Sequence, residues 1–125
     1  MSFLAQKAWK QFRRPHLPER ALQAQVFTFL RLALPPDAVA FSVPNGDGGK
    51  TTMPGTLSGV PDLCVIYRGR AIFIELKTPT GRVSEHQAEV HTRLTAAGAV
   101  VAVCRSLEDV EGFLGQIVPL RARAA

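Results

Sequence analysis

The stretch that most constrains the fold is residues 59–77, which reads GVPDLCVIYRGRAIFIELK. Two short apolar runs in it, rich in Val, Ile, Phe and Tyr, flank Arg68, Gly69 and Arg70. Apolar runs of this length that are interrupted by Gly predict a β-hairpin. A run that is apolar on both faces predicts a strand covered on both sides, where an unpaired charge is costly. The charges at the end of this hairpin therefore need partners or a metal ion.

Three charged side chains, Asp62, Glu75 and Lys77, lie at the open end of the predicted hairpin. Because side chains alternate along a strand, Glu75 and Lys77 share one face. Two carboxylates and a lysine that converge can hold a hard cation such as Mg²⁺, which binds carboxylates, water and phosphate. The lysine can orient an attacking water, so the set is equipped to hydrolyse a phosphodiester. The alternative is that Glu75 and Lys77 are the solvated edge of a half-exposed strand.

The register of the hairpin decides whether these charges meet. A two-residue loop at Gly69-Arg70, forming a type II′ turn, places Asp62 opposite Lys77. Cys64 then lies opposite Glu75. A three-residue loop would shift the register by one residue and send Asp62 to the other face. We expect the two-residue loop, or a bulge that restores the same facing.

A longer ordered set of residues surrounds the hairpin: G-V-P-D-L at residues 59–63 and I-E-L-K at 74–77, then Gly81, Ser84 and Gln87, with P-N-G at 44–46 and Glu19 upstream. This set resembles the VRR-NUC (virus-type replication-repair nuclease) family of the PD-(D/E)XK nuclease superfamily, in its stand-alone phage or bacterial type. The resemblance extends from about residue 18 to residue 113 and covers most of the chain.

The resemblance implies a restriction-endonuclease-like fold with an αβββαβα core. It also implies a metal-dependent site for DNA cleavage. Asp62 and Glu75 would hold Mg²⁺ or Mn²⁺, and the backbone carbonyl of Leu76 would add a ligand. Lys77 would position or help to activate the attacking water.

Three further residues have a structural and a functional interpretation. Glu19 opens a predicted helix, where a carboxylate is favoured, but the resemblance implies that it faces the metal site. Gln87 completes a capping box with Ser84, but the resemblance implies that it orients Lys77 or the phosphate. His91 lies one turn further along the same helical face. We expect it to pack or bond locally.

The remaining pattern predicts alternating helices and strands. This order indicates an α/β fold, in which helices flank both faces of a mixed β-sheet. The run AVVAVC predicts a strand covered on both faces. The predicted order is a helix from Pro18 to before Pro35, a strand at 39–43, a loop at 44–58, the hairpin, a helix from Ser84 to before Gly98, a strand at 99–104 and a helix at 106–117.

The charge balance is suited to a nucleic-acid partner. The net charge is +5 and the isoelectric point about 9.9, and basic proteins gain affinity for polyanions by releasing counterions. The loop at 44–58, dense in Gly, Pro, Thr and Asn, is predicted to lie on the substrate side of the site. It has no Walker A pattern, so we expect no nucleotide cofactor. The residues predicted to bind DNA are Asn45, Lys50, Arg82, Arg13 and Arg14.

The chain divides into three predicted parts. Residues 1–17 form a basic arm, which is either solvated or a contact to DNA or to a second copy. Residues 18–118 form the nuclease domain, and residues 119–125 a tail expected to fray.

No run approaches the roughly 20 apolar residues that span a bilayer. Both cysteines are predicted to be buried free thiols, so we expect the protein in the cytoplasm of a bacterial or phage-infected cell.

The function expected from the resemblance is cleavage of branched DNA such as a Holliday junction. Resolving a four-way junction needs two symmetric cuts, so we expect a homodimer with a two-fold interface. The N-terminal segment and the last helix, with Phe113, Leu114 and Ile117, are the candidate surfaces. Two alternatives are a nucleic-acid-binding module without catalysis and a nickase or endonuclease acting on unbranched duplex DNA.

Overall fold

The computed structural model describes residues 18–44 and 53–121. The predicted order of elements is confirmed, with boundaries that differ by a few residues. The last helix ends at Leu114 instead of Ile117, and its C-cap is Gly115, a poor helix former. The elements are α1 Glu19–Ala33, β1 Ala38–Ser42, β2 Leu63–Tyr67, β3 Arg70–Leu76, α2 Glu85–Ala96, β4 Val100–Cys104 and α3 Leu107–Leu114.

The four strands form one mixed sheet in the order β1-β2-β3-β4. β1 pairs with β2 and β2 with β3 in antiparallel fashion, while β3 and β4 run parallel. The connection between β3 and β4 contains α2, as a parallel pair requires. The protein is therefore an α/β fold of the restriction-endonuclease-like type. β4 lies at the edge of the sheet, and its Val103 is exposed, so the prediction that both faces of this strand are covered is wrong.

One face of the sheet carries the hydrophobic core. Ile72, Ile74 and Leu76 of β3 are fully buried and pack with the apolar stripe of α1 and with α3. Each buried side chain of this kind stabilises the fold by roughly 1.5–3 kcal/mol relative to an exposed one. The alternate residues of β3 point to the other face. There Glu75 meets residues of α2, so α2 covers the opposite side of the sheet.

The hairpin turn differs from the prediction. The loop is Arg68-Gly69 and not Gly69-Arg70, since Tyr67 pairs with Arg70. Both loop residues have positive φ, 47° at Arg68 and 79° at Gly69, which is typical of a type I′ turn and not of type II′. The register is therefore displaced by two residues. A displacement of two keeps every side chain on its predicted face.

The new register changes which residues face each other. Cys64 pairs with Phe73 instead of Glu75. The last residue pair between β2 and β3 is Leu63 with Ile74, so the next residues on the two chain segments, Asp62 and Glu75, lie opposite each other. The predicted pairing of Asp62 with Lys77 is thus wrong. The prediction that Asp62 and Glu75 share a face is confirmed.

The C-terminal end is anchored at least as far as Arg121. The Arg121 backbone N–H donates to the carbonyl of Ala33 at 2.7 Å, and its guanidinium donates to the carbonyl of Leu34 at 2.6 Å. Residues 119–125 are predicted to fray; of these, Arg121 is bonded to the end of α1, where helix carbonyls lack intrahelical partners, and residues 122–125 lie outside the described residues. Both cysteines are buried free thiols as predicted. No helix in the described ranges has the length and apolar character needed to cross a membrane.

Candidate metal and catalytic site

Three carboxylates from three separate elements meet at one end of the sheet. Glu19 lies in the first turn of α1, Asp62 directly precedes β2, and Glu75 lies in β3. One oxygen from each lies within 4.8 Å of the others. A cluster of carboxylate oxygens at this separation matches the donors that hard divalent cations prefer. The structure therefore brings Glu19 together with Asp62 and Glu75, as the resemblance implied.

Glu75 is the most unusual member of the cluster because only 2% of it is exposed. Burial and the neighbouring Asp62 carboxylate raise the pKa of Glu75 to about 8, while Lys77 acts in the opposite direction. Within the described part of the chain, its Oε2 atom is buried without a hydrogen-bond partner. A bound cation would give this buried carboxylate a partner of opposite charge and offset the repulsion from Asp62. The residues present therefore fit a metal ion.

Asp62 is held in place by the backbone of its neighbours. Its Oδ2 atom accepts a hydrogen bond from the N–H of Leu76 at 2.7 Å. Its carbonyl accepts one from the N–H of Val43 at 2.8 Å. The carboxylate is thus fixed against β3 beside Glu75. The predicted role of the Leu76 carbonyl as a metal ligand stays a prediction.

The G-V-P-D segment needs glycine at its first position. Gly59 has φ of 83°, and a Cβ there would lie 2.9 Å from Cδ2 of His86 and 3.1 Å from Cγ2 of Val90. His86 also approaches the preceding residue, with Nε2 2.8 Å from Oγ of Ser58. The segment that carries Asp62 is thus packed directly against α2. A larger residue at position 59 would strain the backbone and displace this contact.

Lys77 and Gln87 both face Glu75. Lys77 Nζ lies 3.8 Å from Oε1 of Glu75, and the side chain is only 14% exposed. Gln87 Nε2 donates to the same oxygen at 3.4 Å. The Oε1 atom of Gln87 accepts from the N–H of Ser84 at 3.0 Å, which completes the capping box. The two interpretations of Gln87 are therefore compatible, because its two polar atoms serve different partners.

Arg105 is a residue of the site that the sequence reasoning missed. It follows β4, and its Nη1 atom donates to the carbonyls of Thr78 at 2.7 Å and Gly81 at 2.6 Å. These carbonyls belong to the loop that directly follows Lys77. The charged guanidinium therefore fixes the path of the chain from Lys77 to α2. The only sequence signal was an arginine directly after an apolar strand, which is too common to indicate a role.

His91 also faces Glu75. Its Nε2 atom is buried, has no hydrogen-bond partner among the described residues, and lies 3.7 Å from Oε2 of Glu75. Burial and the nearby Lys77 ammonium lower the pKa of His91, which favours the neutral ring. The expectation that His91 packs or bonds locally stays a prediction, and the structure adds that its Nε2 atom is directed at Glu75.

The residues predicted to bind DNA are only partly covered by the structure. Arg82 is exposed in the connection between β3 and α2, close in the chain to Lys77. It is thus available to solvent near the site. The other four, Arg13, Arg14, Asn45 and Lys50, lie outside the described residues.

Comparison with known proteins agrees with this fold. The model of the VRR-NUC domain family matches residues 36–108. A solved structure described as a "VRR_NUC domain" is 26% identical, with a TM-score of 0.57 over 79% of this chain and 96% of its own. Another, described as a "VRR_NUC domain protein", is 19% identical and shares the fold with a TM-score of 0.65, over 82% of this chain and 88% of its own. Curated protein sequences contain no match.

The fold and the carboxylate cluster define a nuclease-type α/β domain. The match to the family model covers more than half of the chain, including both G-V-P-D and E-L-K. The chain belongs to the VRR-NUC domain family.

Proposed function

We propose that this protein is a metal-dependent DNA endonuclease that cleaves branched DNA in the manner of a Holliday junction resolvase. The observation that carries the proposal is the cluster of Glu19, Asp62 and Glu75, whose oxygens lie within 4.8 Å of one another beside Lys77. Carboxylates repel phosphate, so a cluster of this kind is suited to a phosphodiester substrate only when a cation is bound. The expected cation is Mg²⁺ or Mn²⁺, because every ligand is a hard oxygen.

Each residue of the site has a separate role in the proposed reaction. Glu19, Asp62 and Glu75 would hold the cation, which polarises the scissile phosphate and stabilises negative charge on the leaving 3′ oxygen. Lys77, beside Glu75, would orient the attacking water and stabilise the negative charge that develops on the phosphate. Gln87 keeps the Glu75 carboxylate in position through its Nε2 contact. Exposed residues such as Arg82 are available to neutralise DNA phosphates.

Cleavage of a four-way junction requires two active sites, so we extend the proposal to a homodimer. The last helix is not suited to the interface. Leu114 is fully buried, and Phe113 and Ile117 pack against the core. The edge strand β1 is a better surface, because Val39 is 60% and Phe41 45% exposed on the same face. Sedimentation with junction DNA tests the dimer, and Phe41→Lys should shift the protein toward the monomer.

The first experiment compares cleavage of a synthetic four-way junction with matched linear duplex, fork and single strand. Each is incubated with Mg²⁺, with Mn²⁺ or with EDTA. Glu75→Gln removes the charge of the buried carboxylate, and Glu89→Gln is the matched control, because Glu89 is an exposed residue of α2 outside the cluster. Paired cuts on the junction that require metal, survive in Glu89→Gln and vanish in Glu75→Gln are the expected result.

Two other outcomes would replace the proposal. Cutting of every substrate would retain the nuclease and remove the branch preference, as for a nickase or endonuclease acting on duplex DNA. Tight binding in EDTA without cutting in any metal would identify a nucleic-acid-binding module. The raised pKa of Glu75 and the gathering of three carboxylates argue against the binding module, since a binder gains nothing from concentrated negative charge next to phosphate.

A further inference from the structure

His91 and Glu75 present two unsatisfied polar atoms to each other. Oε2 of Glu75 and Nε2 of His91 are the buried side-chain atoms without a hydrogen-bond partner in the described part of the chain. They lie 3.7 Å apart. A buried polar atom without a partner costs roughly 1–3 kcal/mol, and native structures contain few of them. Two such atoms facing each other indicate an interaction that forms in another state of the site.

The geometry shows which role His91 can have. The carboxylates of Glu19, Asp62 and Glu75 gather within 4.8 Å, and His91 is not a member of that group. Its contact with the cluster is the one from Nε2 to Oε2 of Glu75, at 3.7 Å, so its role is argued through Glu75. A neutral imidazole with its proton on Nε2 is a hydrogen-bond donor. A movement of about 0.8 Å would bring the two atoms to the usual donor–acceptor separation near 2.9 Å.

The other carboxylate oxygen of Glu75, Oε1, already has two neighbouring side chains. Lys77 and Gln87 both approach Oε1, at 3.8 Å and 3.4 Å. Oε2 has no hydrogen-bond partner among the described residues, and Nε2 of His91 lies 3.7 Å from it. A metal-binding carboxylate usually depends on outer hydrogen bonds to fix its orientation. The two oxygens of Glu75 would thus be fixed from two sides, both by residues of α2 or the adjacent loop.

We propose that His91 is a positioning residue that donates its Nε2–H to Oε2 of Glu75 and holds this carboxylate toward the cation shared with Glu19 and Asp62. The inference rests on the proposed metal-dependent function and adds a residue to it. Loss of an outer partner of this kind typically lowers metal affinity by about 10–100-fold. His91 would therefore act on metal binding without touching DNA.

The test measures metal affinity directly. Isothermal titration calorimetry with MnCl₂ and MgCl₂ is performed on the full chain after removal of metal. His91→Leu removes the donor, and His91→Gln keeps an N–H of similar reach. Thr92→Ala is the matched control, because Thr92 is an exposed neighbour on the same helix. Thermal unfolding in EDTA is recorded for each variant, and His91→Phe replaces His91→Leu should the latter fail to fold.

We expect Mn²⁺ to bind about 10–100-fold more weakly to His91→Leu than to the wild type. His91→Gln should stay within a few-fold, and Thr92→Ala should be unchanged. The unfolding temperature of His91→Leu in EDTA should not fall, since the substitution removes an unsatisfied buried nitrogen. A residue that only packs would give the reverse pattern, with lower stability and unaltered metal affinity.

Different results separate this inference from the proposed function. If the wild type binds metal and cuts junction DNA but His91→Leu binds Mn²⁺ equally well, only the role of His91 is overturned. The same conclusion follows if His91→Gln is as weak as His91→Leu, because a donor would then not be what the site requires. If the wild type binds neither Mn²⁺ nor Mg²⁺, the proposed function and the inference both fail.

Discussion

The two faces of β3 carry opposite properties on a single strand. On one face Ile72, Ile74 and Leu76 are fully buried in an apolar core. On the other, Glu75 is equally inaccessible but is a carboxylate whose pKa is raised to about 8. The first face lowers the free energy of the folded state through burial. The second raises it, because burying a charge or an unsatisfied polar atom is unfavourable. Neighbouring residues of one strand thus have different roles: the apolar residues stabilise the fold, and Glu75 belongs to the candidate metal site.

The sharpest test of this division is Glu75→Gln, which keeps the shape and removes the charge. We expect cleavage to fall on the order of 10³-fold, since a proposed ligand of the cation, and the transition-state stabilisation that depends on it, would be lost. The free energy of unfolding in EDTA should stay equal or rise near pH 8. Kinetics and urea unfolding of the same preparation check both. A variant that loses stability and keeps activity would reverse the assignment of the two faces.

The adjacent core position should behave in the opposite way. Ile74→Ala is expected to cost about 2–5 kcal/mol of unfolding free energy, because it leaves a cavity at a fully buried site. Mn²⁺ affinity of the fraction that remains folded should be within a few-fold of the wild type. Chemical denaturation measures the free energy of unfolding, and titration calorimetry at low temperature measures the Mn²⁺ affinity. Equal losses in stability and metal affinity would show that the faces are coupled.

The raised pKa of Glu75 predicts a dependence of stability on pH in the absence of metal. The folded protein keeps a proton on Glu75 up to about pH 8, whereas an unfolded glutamate releases it near 4.5. Stability should therefore fall as pH rises from about 5 through about 8. The decline should be smaller in Glu75→Gln, where this group is absent. Parallel curves for the two proteins in EDTA would contradict the shift.

Two glycines with similar backbone conformations allow a matched comparison. Gly59 and Gly69 have φ of 83° and 79°, but a Cβ would meet His86 and Val90 only at Gly59. Gly69→Ala should cost about 1 kcal/mol from conformational strain and leave cleavage unchanged. Gly59→Ala should cost more and also weaken cleavage, because it displaces the segment that carries Asp62. Equal effects on activity would show that the packing of this segment against α2 is not needed.

The smallest expected effect distinguishes the two contacts of Gln87, one with Ser84 in the capping box and one with Glu75. Ser84→Ala removes only the N-cap and should lower stability by about 1 kcal/mol with little change in cleavage. Gln87→Ala removes its half of the capping box together with the contact to Glu75. It should lower cleavage by a further factor of about 10. Thermal unfolding and steady-state kinetics of both variants measure the difference. Equal rates would leave Gln87 with a capping role alone.

Much of this architecture could be predicted from local patterns. The alternation of apolar residues, the glycine that follows α2 at position 98, and the S-x-x-Q capping box act over a few residues, so they are readable in the sequence. The facing of Asp62 and Glu75 was also predictable, because side chains in a strand repeat every second residue. The resemblance to VRR-NUC domains then linked Glu19 to the same site over a long separation in the chain.

Other features depended on contacts between distant segments. The turn formed at Arg68-Gly69 because pairing of the whole hairpin selected a register that displaced the predicted loop by one residue and required positive φ at an arginine. The anchoring of Arg121 to the end of α1, and of Arg105 to the loop after Lys77, involves carbonyls far away in sequence. Backbone acceptors carry no residue-type signal, so no pattern could predict these bonds.

By itself, the sequence determined the order of elements, the family and the identity of the charged residues, because these follow from short-range periodicity and from motif spacing. Only the tertiary structure decided that Gln87 serves both its helix cap and Glu75, and that His91 is directed at the same carboxylate. Both outcomes depend on how α2 packs against β3. That packing sets distances of a few ångströms, and spacing along the chain does not specify it.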